Sequence, residues 1–301
     1  MCSWIRGWTM IRWGDSRMSK KELFRRILRS KYFVIGFTIV LFMVLCIVLV
    51  PELSPYKPDV MNLKESLVEP EGLSKGLQGH VLGTEALGQD IFVRLCVGGR
   101  TSFIIAIIAV LFGAMVGTVL GVMAGYMGRT VDAIIMRVGD IQNGINSTLL
   151  AIVVVSVLGK SVVNLIIVMM ITSWLGFARI VRSGVLQVSK REFISASRVL
   201  GSSDWRIMFS EILPNVSTSL IVKISQQFGH IILLEAALSF LGCGVPLPMP
   251  SWGTMISDGR DYISTSPWVV IAPGIALMLT VLAANFLGDG IRDVLDPKMK
   301  H

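Results

Sequence analysis

The sequence predicts an all-α, polytopic membrane protein with six transmembrane helices. Of its 301 residues, 53% are hydrophobic and only 16% charged, and its mean hydropathy is +0.69. A soluble domain of this length does not need so much apolar surface. The apolar residues gather into runs long enough to span a bilayer, at 32–50, 101–126, 131–158, 161–180, 214–241 and 268–287. The Lys and Arg residues gather in alternate connections, as the positive-inside rule requires for six spans with both ends in the cytoplasm.

Residues 1–31 carry nine Lys or Arg against Asp15 and Glu22. The stretch KKELFRRILRSK (20–31) forms a basic amphipathic helix suited to an anionic membrane surface. Met18 is an alternative start. The run at 32–50 follows, and no small-residue cleavage site comes after it, so it reads as an uncleaved anchor. Residues 51–100 form an extracytoplasmic loop with Pro51, Pro55, Pro58 and Pro70, in which Asp and Glu outnumber Lys and Arg.

The second span carries Gly113, Gly117, Gly121 and Gly125 at four-residue intervals. Such a ridge lets another helix approach closely. In the third span Arg137 and Asp140 form an i,i+3 pair, followed by Gln142, Asn143 and Asn146. Polar groups at membrane depth face protein or a wet cavity. After the fourth span comes the basic connection 182–213. The stretch from 178 to 215 carries Arg179, Arg182, Lys190, Arg191, Arg198 and Arg206, and is punctuated by Gly201 and Pro214. Within it, 192–201 reads as a short helix with Phe193, Ala196, Val199 and Leu200 on one side. Composition leaves two readings open: a solvated basic loop, or a helix presented to a partner.

On the fifth span Ser219, Lys223, Gln226, Gln227 and His230 share one face, with Glu235 beyond them. The stripe is a candidate pathway lining; interhelical hydrogen bonding is the alternative. A Gly- and Pro-rich outer loop (243–267), the sixth span and a cytoplasmic tail (289–301) complete the chain.

The motifs of an enzyme are missing. The sequence holds no HExxH, no GxSxG and no paired carboxylates beside a cleft. Gly159-Lys160-Ser161 imitates the end of a phosphate loop, but Val154 stands where the loop glycine belongs. Cys2, Cys46, Cys96 and Cys243 show no metal spacing; Cys96 and Cys243 fall on the same predicted side, with free thiols the expectation. His80, His230 and His301 are dispersed, so no metal site is expected. The charge of +8 follows the membrane pattern and does not argue for nucleic acid.

The basic connection resembles the coupling segment of ABC importer permeases, a Glu-Ala-Ala motif followed by Gly and, further on, Ile-x-Leu-Pro. Here it reads Ser195-Ala196-Ser197, then Gly201, then Ile212-Leu213-Pro214. Further motifs are similar to the C-type permease subunit of the peptide/nickel importers. HVLGTEALGQDIFVRL (80–95) matches HPLGTDxLGRDxxSRL, with Val81 for Pro and Gln89 for Arg. GGRTS (98–102), AGYMGRTVD (124–132), EAALSFLG (235–242), PSWG (250–253), GRDY (259–262) and FLGDGIRDVLDPK (286–298) follow in the family's order.

The resemblance implies a type I ABC importer permease (MetI-like) fold in a bacterial cytoplasmic membrane. It implies a homologous second permease, two cytoplasmic ATPases that hold ATP and Mg, and an extracytoplasmic binding protein that delivers di- or oligopeptides, or nickel and metal–chelator complexes. The chain itself would hold no cofactor and catalyse no reaction. The ATPase-coupling residues carried over are Glu192, Ser195, Ala196, Ser197, Arg198, Gly201, Leu213 and Pro214. Two departures stand out. Ser195 replaces the coupling glutamate, so that the ion pair expected with the ATPase is either absent or taken over by Glu192, and Ile145-Asn146 replace Phe-Pro, making the implied pathway more polar. His230 reads as a hydrogen-bonding pathway residue or as a transient nickel ligand. From another class, an ATP-independent channel or secondary carrier would also explain the polar stripe, but it leaves the inner helix without a role.

Overall fold

The computed structural model describes residues 29–72 and 79–295. The basic helix expected at 20–31 and the tail beyond 295 lie largely outside these residues. Among the described residues the long elements are all helical: α1 (Lys31–Leu53), α2 (Ile91–Tyr126), α3 (Arg129–Asn143), α4 (Ser147–Leu158), α5 (Val162–Val188), α6 (Glu192–Val199), α7 (Asp204–Phe240), α8 (Trp252–Gly259) and α9 (Trp268–Leu295).

Five of these helices are long and apolar enough to cross a membrane: α1, α2, α5, α7 and α9. The sixth crossing is a broken one. The expected continuous span at 131–158 instead bends by 85° between α3 and α4. Gly144 closes α3, and the Asn146 side chain accepts hydrogen bonds from the backbone N–H groups of Thr148 (2.9 Å) and Leu149 (3.4 Å), starting a new helix. α3 bears Arg129, Asp132, Arg137 and Asp140, a composition that suits a membrane surface, whereas α4 is apolar. At 12 residues α4 is only about 18 Å long, short of the ~30 Å hydrocarbon core. The pair still carries the chain across. The glycines of α2 meet α5 in ascending order on both helices, so these two run parallel, and the segment between them must return to the starting end.

The α2–α5 contact is set by the glycine ridge. A Cβ added at Gly113 would lie 2.1 Å from Ser173 Oγ, at Gly117 2.4 Å from the Trp174 carbonyl oxygen, at Gly121 2.6 Å from that of Ala178, and at Gly125 2.7 Å from Val185 Cβ. α9 runs antiparallel to both α1 and α7. Gly36 faces Ala283 and Leu287 while Gly290 faces Phe33, and Gly288 faces Ser225 while Gly229 faces Val281. Small residues thus set the helix spacing where lipid supplies no hydrophobic drive for association.

Several helices extend further than the hydropathy runs. α2 begins at Ile91 rather than near 101, because Asp90 caps it (Oδ1 accepts from Val93 N at 2.8 Å) and Arg94 is held inside the fold, its Nη1 donating to Gln89 Oε1 and, at 3.3 Å, to the Pro58 carbonyl. Arg94 Nε lies 2.7 Å from Glu85 Oε1, in ion-pair contact without hydrogen-bond alignment. α5 continues to Val188 and α7 begins at Asp204, so the connection expected at 182–213 is mostly helix broken by short turns. The expected Arg137–Asp140 pair is also replaced. Asp140 accepts from Arg179 Nη2 at 2.8 Å, and Asp132 is clasped by Arg182, which fastens α3 to α5.

The opposite end is closed by the loop 79–90 and by α8. His80 Nδ1 lies 2.9 Å from Asp90 Oδ2, and Trp252 Nε1 donates to the Leu95 carbonyl at 2.8 Å. At Gly88 (φ +70°) an added Cβ would lie 1.8 Å from the Asn62 carbonyl oxygen, so both the backbone angle and the space require glycine. Beneath this cap Glu235, 1% exposed, accepts from Ser239 (2.8 Å), Ser251 (2.9 Å) and Ser102 (3.0 Å), tying α7, α8 and α2 together. Cys46, Cys96 and Cys243 are free thiols, so Cys96 and Cys243 do not pair.

Candidate functional site

Two features stand apart from this packing: a short helix exposed at one end, and a polar cavity between the spans.

α6 is built as a protruding handle. Arg191 precedes it in extended backbone, and Glu192 lies in its first turn, where a negative charge favours the helix N-terminus. Its C-terminus is a Schellman motif: Ser202 N–H donates to the Ser197 carbonyl (3.1 Å), Gly201 N–H donates to the Arg198 carbonyl (3.1 Å), and Gly201 sits at φ +78°. One side chain anchors the helix. Ile194 is buried among Val185, Val188, Ile207, Met208 and Ile212. The expected apolar side points the other way. Val199 is 87% and Leu200 84% exposed, and Phe193, Ala196 and Ser195 are exposed as well. Trp205, stacked on Phe209 at 5.5 Å, adds to this surface.

Arg198, one of the coupling residues implied by the resemblance, turns back into its own chain. Its Nη2 donates to Tyr126 Oη at 3.2 Å, and Tyr126 Oη donates to Asp204 Oδ1 at 2.7 Å, so the end of α2 is linked to both sides of the α6 turn. Beyond this turn, Ile207–Ile212 form a π-helical turn leading into Leu213 and Pro214. Pro214 lacks the N–H that an α-helix would direct at the Ser210 carbonyl, and the wider turn absorbs that loss.

The cavity, about 340 Å³, lies between α3–α4, α5 and α7. Gln142, Asn143, Lys223, Gln226, Gln227 and His230 all border it. Asn146 does not, because its side chain is spent on capping α4. The lining side chains differ in how fully they are used. Gln142 Nε2 donates to the Ile171 carbonyl (2.6 Å), and its Oε1 accepts from Trp174 Nε1 (2.7 Å), so it joins α3 to α5. Arg179 also borders the cavity, but it is paired with Asp140.

Sequence reasoning assigned no role to Ile194, Tyr126 or the Glu85–Arg94 pair, and it counted Arg179 only as loop charge. Periodicity located the α6 helix but did not say which face docks. The partner of Arg179 was obscured by Arg137, three residues from Asp140.

Comparison with known proteins agrees with this architecture. The family described as "Binding-protein-dependent transport system inner membrane component" matches residues 117–301. "N-terminal TM domain of oligopeptide transport permease C" matches residues 20–70. The dipeptide transport system permease protein DppC of Alkalihalophilus pseudofirmus is 40% identical over 280 residues, 93% of this chain and 90% of that protein. The oligopeptide transport system permease protein OppC of Bacillus subtilis is 37% identical, over 95% and 94% respectively. Among solved structures, a chain of the MetNI methionine ABC transporter in an inward-facing conformation superposes with a TM-score of 0.55 at 19% identity, covering 65% of this chain and 94% of that one. With six crossings and matches at both ends, the chain belongs to the family of binding-protein-dependent transport system inner membrane components, as the permease subunit of an ABC importer.

Proposed function

We propose that this permease forms half of a translocation pathway for di- or oligopeptides and is driven through α6 by a cytoplasmic ATPase. The observation that carries the reading is the handle itself: a helix anchored by the single buried residue Ile194, with Val199, Leu200 and Trp205 exposed. An apolar tip surrounded by Lys190, Arg191 and Arg206 suits a groove on a protein partner. α6, the loop at Met127 and the end of α9 lie at one end of the bundle, which we assign to the cytoplasm because Arg129, Lys190, Arg191, Arg206 and Arg292 gather there. The start of α1 and the end of α9 then lie inside.

The reading needs three kinds of partner. A homologous permease completes the pathway, two ATPases bind ATP and Mg and hydrolyse the nucleotide, and an outer binding protein delivers cargo to the end formed by 54–72, 79–90 and α8. Closure of the ATPases would move α6 and, through Tyr126 and the π-helical turn, shift α2 and α7 together. Peptide cargo is proposed because the named functions of the similar proteins are dipeptide and oligopeptide transport.

The test is uptake of a labelled dipeptide into proteoliposomes holding the whole complex, with and without ATP, for wild type and for Gly201→Asp. Only glycine adopts φ +78° cheaply, so the variant should assemble, hydrolyse ATP and fail to couple it to uptake. Uptake by wild type without ATP would favour a channel or secondary carrier. Normal uptake by Gly201→Asp would remove α6 from the coupling path.

A further inference from the structure

Resting on that reading, we infer that Lys223 is the cargo-contacting residue of this permease and receives the carboxylate of a peptide passing through. Lys223 lies on α7 about 15 Å from Leu213 and about 25 Å from Phe240, well inside the bilayer thickness. Its side chain crosses α5 at Gly176, where an added Cβ would come within 3.3 Å of Lys223 Cε and 3.7 Å of Nζ. The ammonium end of the side chain thus passes close against the α5 backbone where it borders the cavity.

Among the described residues no carboxylate borders that cavity. Its other cation, Arg179, is already paired with Asp140, and Glu235 on the same helix is held by three serine hydroxyls. Among the described residues Lys223 has neither an ion pair nor a hydrogen bond. A charge is kept at this depth only where it faces protein or a wet cavity and has work to do. Gln226, Gln227 and His230 sit beside it, also without protein hydrogen bonds among the described residues. One ammonium with neutral amides around it suits a carboxylate flanked by peptide amide groups. It repels a bare divalent cation, which weighs against His230 as a ligand for bare nickel ion.

The experiment uses the whole complex in proteoliposomes with its binding protein and ATP. Wild type, Lys223→Met and Lys223→Arg are each offered a labelled dipeptide and the C-terminal amide of the same dipeptide. Binding-protein-stimulated ATP hydrolysis and association with the second permease are measured alongside. Loss of a charge-assisted hydrogen bond should lower dipeptide uptake roughly ten-fold or more in Lys223→Met, with association and stimulated hydrolysis retained. Lys223→Arg should restore most of the uptake, and the amide should be carried equally by wild type and Lys223→Met. Undiminished dipeptide uptake in Lys223→Met, or an equal loss for the amide, overturns the assignment. Loss of association in Lys223→Met also overturns it, by making Lys223 a counter-charge for the partner permease. If the wild type carries neither peptide, the importer reading itself fails and takes this assignment with it; failure of Lys223 alone leaves the importer reading standing.

Discussion

Replacing Gly117 by Ala tests the helix spacing that the whole bundle depends on. The new methyl carbon would lie 2.4 Å from the Trp174 carbonyl oxygen, 2.6 Å from Phe177 Cβ and 3.0 Å from Ala178 N. None of these atoms can rotate away, since two are backbone and the third is a Cβ. Ordinary contact begins near 3.4 Å, so α2 and α5 must separate by about 1 Å along their tightest contact. Overpacking of this kind costs about 1–3 kcal/mol, partly offset by the ~1 kcal/mol helix preference of Ala over Gly. Two companions set the scale. At Gly113 the closest obstacle is Ser173 Oγ, which can turn to another rotamer, and at Gly274 in α9 nothing lies within 4 Å. Thermal unfolding of the detergent-purified complex should rank the variants Gly274→Ala at or above wild type, Gly113→Ala next and Gly117→Ala lowest, by a few degrees. Equal midpoints for Gly117→Ala and Gly274→Ala would refute the ridge as the determinant of helix spacing.

Two further predictions concern the ends of the molecule. Ile194→Ala removes the anchor of α6 at a local cost of about 2–5 kcal/mol, and should release the helix and abolish coupled uptake. Val199→Ser touches an exposed residue, should leave stability within about 0.5 kcal/mol, and should still lower uptake per ATP hydrolysed. Coupling lost in neither would separate α6 from energy transfer. At the end opposite α6, burial pushes the Glu85 carboxyl up to about 7, with Arg94 restraining the rise. The folded protein therefore holds this proton more tightly than the unfolded chain, whose carboxyl titrates near 4.5. The cost of ionising it is absent below about pH 4.5 and grows as pH rises through 7. Thermal stability should accordingly show a decline across that window that Glu85→Gln flattens; an unchanged slope would mean that Arg94 fully compensates the charge.

The spans were legible in the sequence because burial in lipid leaves a long apolar run that no other structure requires. The glycine ridge was legible for a related reason: four small residues in register have little use except close approach. What the sequence concealed was the ends of helices. Arg94 looked like loop charge because its burial beside Glu85 and Gln89 depends on a fold of the loop 79–90 that hydropathy does not reveal. The break at Asn146 was hidden because an apolar run reads the same whether straight or bent, and the capping role of Asn146 competed with a pathway role for the same side chain. Within the stripe on α7, spacing placed Lys223, Gln226, Gln227 and His230 on one face. Only the position of α5, with Gly176 opposite Lys223 and Arg179 taken by Asp140, distinguished the uncompensated charge from the rest.

The most direct test of the account is a photo-crosslinker placed at Val199 in the intact complex, with Val163, 63% exposed at the other end of α5, as the control position. The account predicts an adduct between position 199 and the ATPase polypeptide, and none from position 163. An intact, hydrolysing complex in which position 199 yields no ATPase adduct would contradict the claim that α6 is where the ATPase takes hold.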